Sequence, residues 1–349
     1  MNSQKKGATK NLVDKKKIII ISFIAFLLVL IFSIFIGRFR VDFSELIQSF
    51  IQLFQGLEPG EIDNQSWRVF YFIRFPRILM VIGVGAALSA TGAVYQSIFY
   101  NPLISPDILG VSAGAGFGVA LGMLLGSGSL IHIYIPAFIS GLIAVAMTYY
   151  INKLSRGHGI MKMVLAGIVV SSLFNALLAI LKYLADPMDQ LPGIVFWLMG
   201  GFSRAGWQEV KLVLPFVLVG LIIIFYFRWH LNVMSMGEEE ALSLGINVKV
   251  LRVLLILFST MMVSAAVATT GQITWIGLIV PHIARFIIGS DHRMMIPTTM
   301  ILGATLLLLM DNLARTLIAA EIPISIITAL IGAPFFAYLL ITRGESGWS

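Results

Sequence analysis

Apolar residues run along this chain in long blocks separated by short polar joints. The first block, Ile18 to Gly37, contains no charged residue. Lipid offers an open backbone no hydrogen-bond partner, so a crossing segment has to be a helix of about 20 mostly apolar residues. Further blocks of comparable character lie near Arg77 to Phe99, Pro106 to Leu125, His132 to Ile151, Met161 to Ala185 and Val210 to Phe227. Others follow near Val250 to Thr269, Ile273 to Gly289, Ile296 to Ala319 and Ser325 to Ile341, and Pro, Gly or charge bounds each one. The pattern predicts an all-α integral membrane protein with about ten transmembrane helices. Its divisions are a basic tail (1–17), a transmembrane domain (18–342) with a polar loop at 231–248, and a short second tail (343–349). Between the first two blocks, Arg38 to Pro76 is polar to amphipathic and reads as a segment outside the bilayer core.

Charge gives these helices a direction. Lys5, Lys6, Lys10, Lys15, Lys16 and Lys17 precede the first block, which predicts a cytoplasmic N-terminus. That block is longer than the roughly 7 to 15 apolar residues of a signal peptide and lacks an Ala-x-Ala site, so it reads as a retained helix. Ten crossings then put Lys153, Arg156, Lys162, Arg228, Lys249, Arg252, Arg285, Arg293 and Arg343 on the inner side, with the C-terminus. Arg38, Arg40, Arg68, Arg74 and Arg77 depart from this bias by crowding the first external segment. Two readings stay open: a binding surface for something acidic outside, or anchors for helix ends in the headgroups.

Composition narrows the chemistry. Of 349 residues 58% are hydrophobic and 12% charged, against about a quarter charged in a soluble domain. The net charge of +7 sits in the tail and joints, with no basic face interleaved with aromatics, so nucleic acid is not an expected partner. There is no cysteine, which excludes thiol catalysis and thiolate metal sites. No G-x-x-x-x-G-K-[ST] loop occurs, so any ATP must be handled by a partner. His132, His158, His230, His282 and His292 are scattered without a metal-binding spacing. Ionisable residues inside the blocks are few, chiefly Asp311 and Lys182, which disfavours an ion-gradient-driven carrier, and Asp311 is placed to pair with Arg315 four residues on.

Small residues mark close helix contacts: Gly83, Gly85, Ala86, Ala87, Ser89, Ala90, Thr91 and Gly92 in one block, Gly110 and Ser112 to Gly116 in the next. Laying Ala86 to Gly110 over Ala265 to Gly289 matches Ala, Thr, Gly, Pro and Gly at five positions, an expected inverted repeat. In the loop LNVMSMGEEEALSLGINV, Glu238, Glu239 and Glu240 open a short helix that Gly245 ends. Such a helix suits docking into a groove on a soluble partner or lying solvated at the membrane surface; both remain open.

The segments RFPR (Arg74 to Arg77), NPLISPDILGVSAGAG (Asn101 to Gly116) and GLIVPHIAR (Gly277 to Arg285) resemble signatures of the FecCD-type permeases. So do FWLMGGFSRAGW (Phe196 to Trp207), the MGEEEALSLG loop, and the stretch from Asp311 to Phe336, all in family order. These are subunits of binding-protein-dependent ABC importers for ferric siderophores, haem and cobalamin. The resemblance implies a fold like that of the cobalamin-importer permease, with inverted repeats, in the bacterial cytoplasmic membrane. It implies a second permease subunit, identical or not, two cytoplasmic ATP-binding subunits, an extracytoplasmic substrate-binding protein, and surrounding membrane lipid. ATP and Mg would sit on the partner ATPase, with no cofactor bound by this chain and no catalysis by it. Carried over residue by residue, Arg74, Arg77 and Arg315 would receive acidic residues of the binding protein. Asn101, Leu103, Ile160 and Met161 would form the cytoplasmic gate, and Gly237, Glu238, Glu239, Leu242 and Gly245 would contact the ATPase. Ferric siderophore is the expected cargo, with haem or cobalamin as the alternative.

Overall fold

The computed structural model describes residues 2–37, 39–126, 130–155, 160–318 and 320–343, without the side chains of 2–14, 160–161, 339–340 and 342–343. Among the described residues every regular element is helical: α1 (Asn2–Phe35), α2 (Phe43–Phe54), α3 (Gln65–Val69), α4 (Phe75–Ile98), α5 (Val111–Leu125), α6 (Leu130–Leu154) and α7 (Ile160–Leu184). Then come α8 (Gln190–Leu198), α9 (Trp207–Met234), α10 (Glu238–Ser243), α11 (Val248–Thr270), α12 (Ile276–Ile288), α13 (His292–Thr316) and α14 (Ile324–Arg343). Seven helices among the described residues are long and apolar enough to cross a membrane, and three shorter apolar ones fill the remaining positions of the ten expected. The basic tail is helical too: α1 starts at Asn2, and no proline interrupts the run from there to Ile18.

α4 is the hub. Nearly every residue of α4 from Pro76 to Ile98 is buried, whereas α7 and α9 are much more exposed, because α9, α11, α12 and α13 all pack around α4. The small residues seen in the sequence make this possible. A Cβ on Gly85 would lie 2.5 Å from the Gly303 carbonyl oxygen of α13, and one on Gly92 would lie 1.7 Å from the Gly277 carbonyl oxygen of α12. The backbones therefore touch where the helices cross, which in lipid replaces the missing hydrophobic drive with dispersion contact. Gly114, Gly118 and Gly122, spaced by four, let α5 approach α6 in the same way. The two segments of the expected repeat do not break alike: α4 runs through Gly92 to Ile98, whereas α11 stops at Thr270, before the matched Gly271.

The stretch from Phe39 to Pro76 folds into a cap. Asp42 accepts from the Ser44 and Glu45 amides at 2.7 and 3.3 Å and starts α2. Trp67, 1% exposed, packs with Val41, Leu46, Ile62 and Phe70, and its Nε1 donates to the Pro59 carbonyl at 2.9 Å. One wide helical turn, Phe70–Arg74, joins α3 to α4 immediately before Pro76. A proline in a continuing helix has no amide to donate and crowds the preceding turn; widening that turn relieves both. It also sets the direction of the two arginines flanking it.

Candidate functional site at the two ends of the bundle

Arg74, Arg77 and Arg315, picked out separately in the sequence, come together at one end of the bundle, and all three are buried. The Arg77 guanidinium holds Asp311 with Nη2 at 2.8 Å and Nε at 3.1 Å from each carboxylate oxygen, and its Nη1 reaches Glu321 at 2.9 Å. Arg315 donates through Nη2 to the Ser33 carbonyl and hydroxyl, both at 2.8 Å, and to Asn312 Oδ1. Among the described residues its Nε has no hydrogen-bond partner, and Asp311 Oδ2 stands 3.7 Å from it. Arg74 donates to the carbonyls of Ile34 and Phe39, where α1 ends. The expected local pair of Asp311 with Arg315 is thus the longer of two, and Arg77, 234 residues away in sequence, is the closer partner.

A depression adjoins this cluster, its polar lining supplied in part by Arg77, Arg204, Ser203 and Glu321 and its apolar lining by residues such as Trp197 and Phe202. Its floor is a backbone joint: the Gly201 amide donates to the Thr270 carbonyl at 2.7 Å, and the Ile324 amide to the Gly200 carbonyl at 3.0 Å. Trp207, the first residue of α9, belongs to this same end, since its Nε1 donates to the Tyr71 carbonyl at 3.0 Å.

From there α9 runs 28 residues to Met234, a length of about 42 Å at 1.5 Å per residue. The second cluster lies at that far end. Gly237, at φ +127°, turns the chain into α10, a conformation that side-chain-bearing residues rarely adopt. Glu238, Glu239 and Glu240 occupy the first turn of α10; Ala241 is buried beneath it, while Met236, Leu242 and Leu244 are 65%, 61% and 57% exposed. Glu238 pairs with Arg252 of α11 at 2.8 Å, so one acid pins the helix while Glu239 stays free in solvent with the apolar side chains. Gly245 closes the unit at φ +78°.

Beside α10 is the loop between α4 and α5. Asn101 Oδ1 accepts the Leu103 amide at 2.9 Å, and Leu103 is 43% exposed. Tyr100, which precedes them, sits at φ +47° and donates its hydroxyl to the Met234 carbonyl. Next to this contact, Asn232 of α9 accepts the His292 amide at 2.8 Å and faces His292 Nδ1 at 2.7 Å, while its Nδ2 donates to Asp291 at 2.7 Å. His292 Nε2 meets the Ser97 hydroxyl in the last turn of α4. Ile160 and Met161 begin α7, and their side chains lie outside the described residues, as do Arg38, Arg156 and His158 altogether.

The sequence singles out the three arginines that share one end and the Asn101, Leu103 and α10 residues that share the other, but not Glu321, Ser33, Tyr100, Asn232 and His292, which the structure sets beside them. Each missed residue acts through a partner 134 to 282 residues away, except that Asn232 and His292 are 60 apart. Among the described residues no group of three or more histidines or carboxylates could hold a metal ion.

A model of the FecCD transport family matches residues 25–342. The molybdate import system permease protein MolB of Haemophilus influenzae is 39% identical over 318 residues, covering 91% of this chain and 93% of that one. The hemin transport system permease protein HmuU of Yersinia pestis is 38% identical, covering 84% and 89%. A solved structure described as an inward-facing conformation of a metal-chelate type ABC transporter has a TM-score of 0.82 and 37% identity, covering 93% of this chain and 99% of that chain.

Proposed function

The chain belongs to the FecCD transport family, and from that premise we propose that it is the membrane-spanning permease subunit of a binding-protein-dependent ABC importer. It pairs with a second permease subunit, takes cargo from an extracytoplasmic binding protein at the arginine end, and couples to two cytoplasmic ATPases at the α10 end. The observation that carries this reading is the division of chemistry between the two ends. Arginines gather at one, where guanidinium groups suit carboxylates of a docking protein. At the other stands a short acidic helix whose exposed leucines suit an apolar groove. The tail lysines orient the α10 end to the cytoplasm.

The arginines are not bare. Docking at Arg77 is an exchange in which a carboxylate of the binding protein replaces Glu321, the more exposed of its two acids at 32% against 0% for Asp311. The chain performs no covalent step; it presents alternating access, and ATP binding and cargo delivery each favour one arrangement of the helices.

For the cargo we propose chelated iron in the form of a ferric siderophore, in keeping with the metal-chelate type transporter whose structure the chain resembles. Molybdate is a second reading, favoured by 39% identity to a molybdate permease over nearly its whole length. Uptake by the assembled importer of radiolabelled ferric siderophore and of molybdate, each through its own binding protein, separates the two.

Two variants test the assignment of ends. Leu242→Asp is expected to lose the ATPase in a pull-down while still capturing the binding protein. Arg315→Ala is expected to keep the ATPase but lose stimulation by the binding protein. The opposite pairing of losses would invert the assignment.

A further inference from the structure

The Met234 carbonyl oxygen, at the last residue of α9, accepts two hydrogen bonds. One comes from the Gly237 amide at 3.2 Å, the residue whose left-handed turn aims α10; the other comes from the Tyr100 hydroxyl. Tyr100 is bonded in the chain to Asn101, whose side chain shapes the loop through the Leu103 amide. A single atom therefore joins the hinge of α10 to the loop between α4 and α5. Tyr100 itself is held at φ +47°, which an aromatic side chain disfavours unless its surroundings impose it.

A second tie runs alongside. Asp291 can only accept, so the Asn232 amide turns its nitrogen to Asp291 and its oxygen to His292. His292 then donates from Nδ1 to Asn232, and its Nε2 is left to accept the Ser97 hydroxyl, three residues before Tyr100. That hydroxyl shares its one proton between His292 and the Ala93 carbonyl, 2.7 Å away. Asp291 also accepts the Arg293 amide at 3.0 Å and so caps α13. This chain, Ser97 to His292 to Asn232 to Asp291, fastens the tips of α4, α9 and α13 to one another at a charged end of the bundle, near Lys15, Arg285 and Arg293. Packed and hydrogen-bonded ends of this kind move together or not at all.

We infer that Tyr100, backed by the Ser97–His292–Asn232–Asp291 chain, is the positioning element that passes displacement of α10 to the gate loop at Asn101 and Leu103. The inference rests on the reading of α10 as the ATPase contact. When the ATPases draw α10, the Met234 carbonyl moves with it and takes the Tyr100 hydroxyl along. The clamped helix tips keep that movement from dissipating in the end of α9.

The test uses the complete importer in proteoliposomes, with ATP hydrolysis and cargo uptake measured on the same vesicles. Tyr100→Phe keeps the ring and deletes the hydroxyl. The expected result is an importer that assembles and continues to hydrolyse ATP while cargo moved per ATP falls by about fivefold or more, the lower end of ordinary coupling between sites. Ser97→Ala is expected to lower the same ratio. The chain has no cysteine, so Leu103→Cys supplies a single reporter: ATP should change its thiol-labelling rate in the parent and leave it unchanged when Tyr100→Phe is added. An unaltered ratio in Tyr100→Phe, an unaltered labelling response, or loss of assembly caused by that one hydroxyl would each overturn the inference. Failure of the reading beneath it looks different: Leu242→Asp would then leave the ATPase bound. If Leu242→Asp releases the ATPase while Tyr100→Phe transports normally, the inference alone falls.

Discussion

Removing the Arg77 side chain should cost far more than removing the charge of its more exposed partner. In Arg77→Met, Asp311 stays fully buried and its nearest remaining cation is Arg315 Nε, 3.7 Å away. The direct attraction lost, for charges about 3 Å apart at an effective dielectric constant near 20, is of the order of 5 kcal/mol. Desolvating both ions offsets much of that in the intact pair, so the pair adds little net stability, whereas stripping one partner exposes the full imbalance, about 3–5 kcal/mol. Glu321 is one-third exposed and can turn to water, so Glu321→Gln should cost no more than about 1 kcal/mol. Arg77→Met combined with Asp311→Leu should recover part of the single-variant loss: the buried carboxylate is gone, but the buried Arg315 then lacks its own acidic partner. Denaturant unfolding in mixed micelles, followed by tryptophan fluorescence, measures all three. Equal costs for Arg77→Met and Glu321→Gln, or a double variant no better than Arg77→Met, would refute the reasoning.

Two further outcomes follow from the packing and the docking exchange. Gly92→Val places a side chain where even a Cβ would be 1.7 Å from the Gly277 carbonyl oxygen, so α4 and α12 must separate and the folded yield on size exclusion should collapse; Gly193→Ala in α8 meets nothing within 4 Å and should fold as well as the parent. Glu321→Gln removes the acid that competes for Arg77, and titration should show tighter binding of the binding protein to nanodisc-held importer; weaker binding would argue against the exchange.

The spans were legible because a bilayer demands length and apolarity, both local properties of sequence. α2 and α8 were not, since 12 and 9 residues fall short of a span and the amphipathic stretch around α2 folds over Trp67 only when chain from both sides of it is in place. Arg74 and Arg77 were legible as part of a charge anomaly, whereas Arg315 joined them only through the family resemblance. Their burial was not, because Arg77 is covered by Asp311 and Glu321 from more than 230 residues away and Arg315 by Ser33 of α1. The α10 unit was read nearly whole, since acids, a short apolar face and flanking glycines all lie within ten residues. Tyr100 escaped notice because its partner is a backbone carbonyl, which no sequence pattern advertises.

The central claim is an importer driven from the α10 end and loaded at the arginine end. Cargo uptake into proteoliposomes holding this chain with its permease partner and ATPases tests it most directly, with binding protein supplied on the arginine side and ATP on the other. The account predicts uptake that requires both and persists when ionophores collapse every ion gradient. Uptake that continues without ATP hydrolysis and stops when the gradients are dissipated would contradict it.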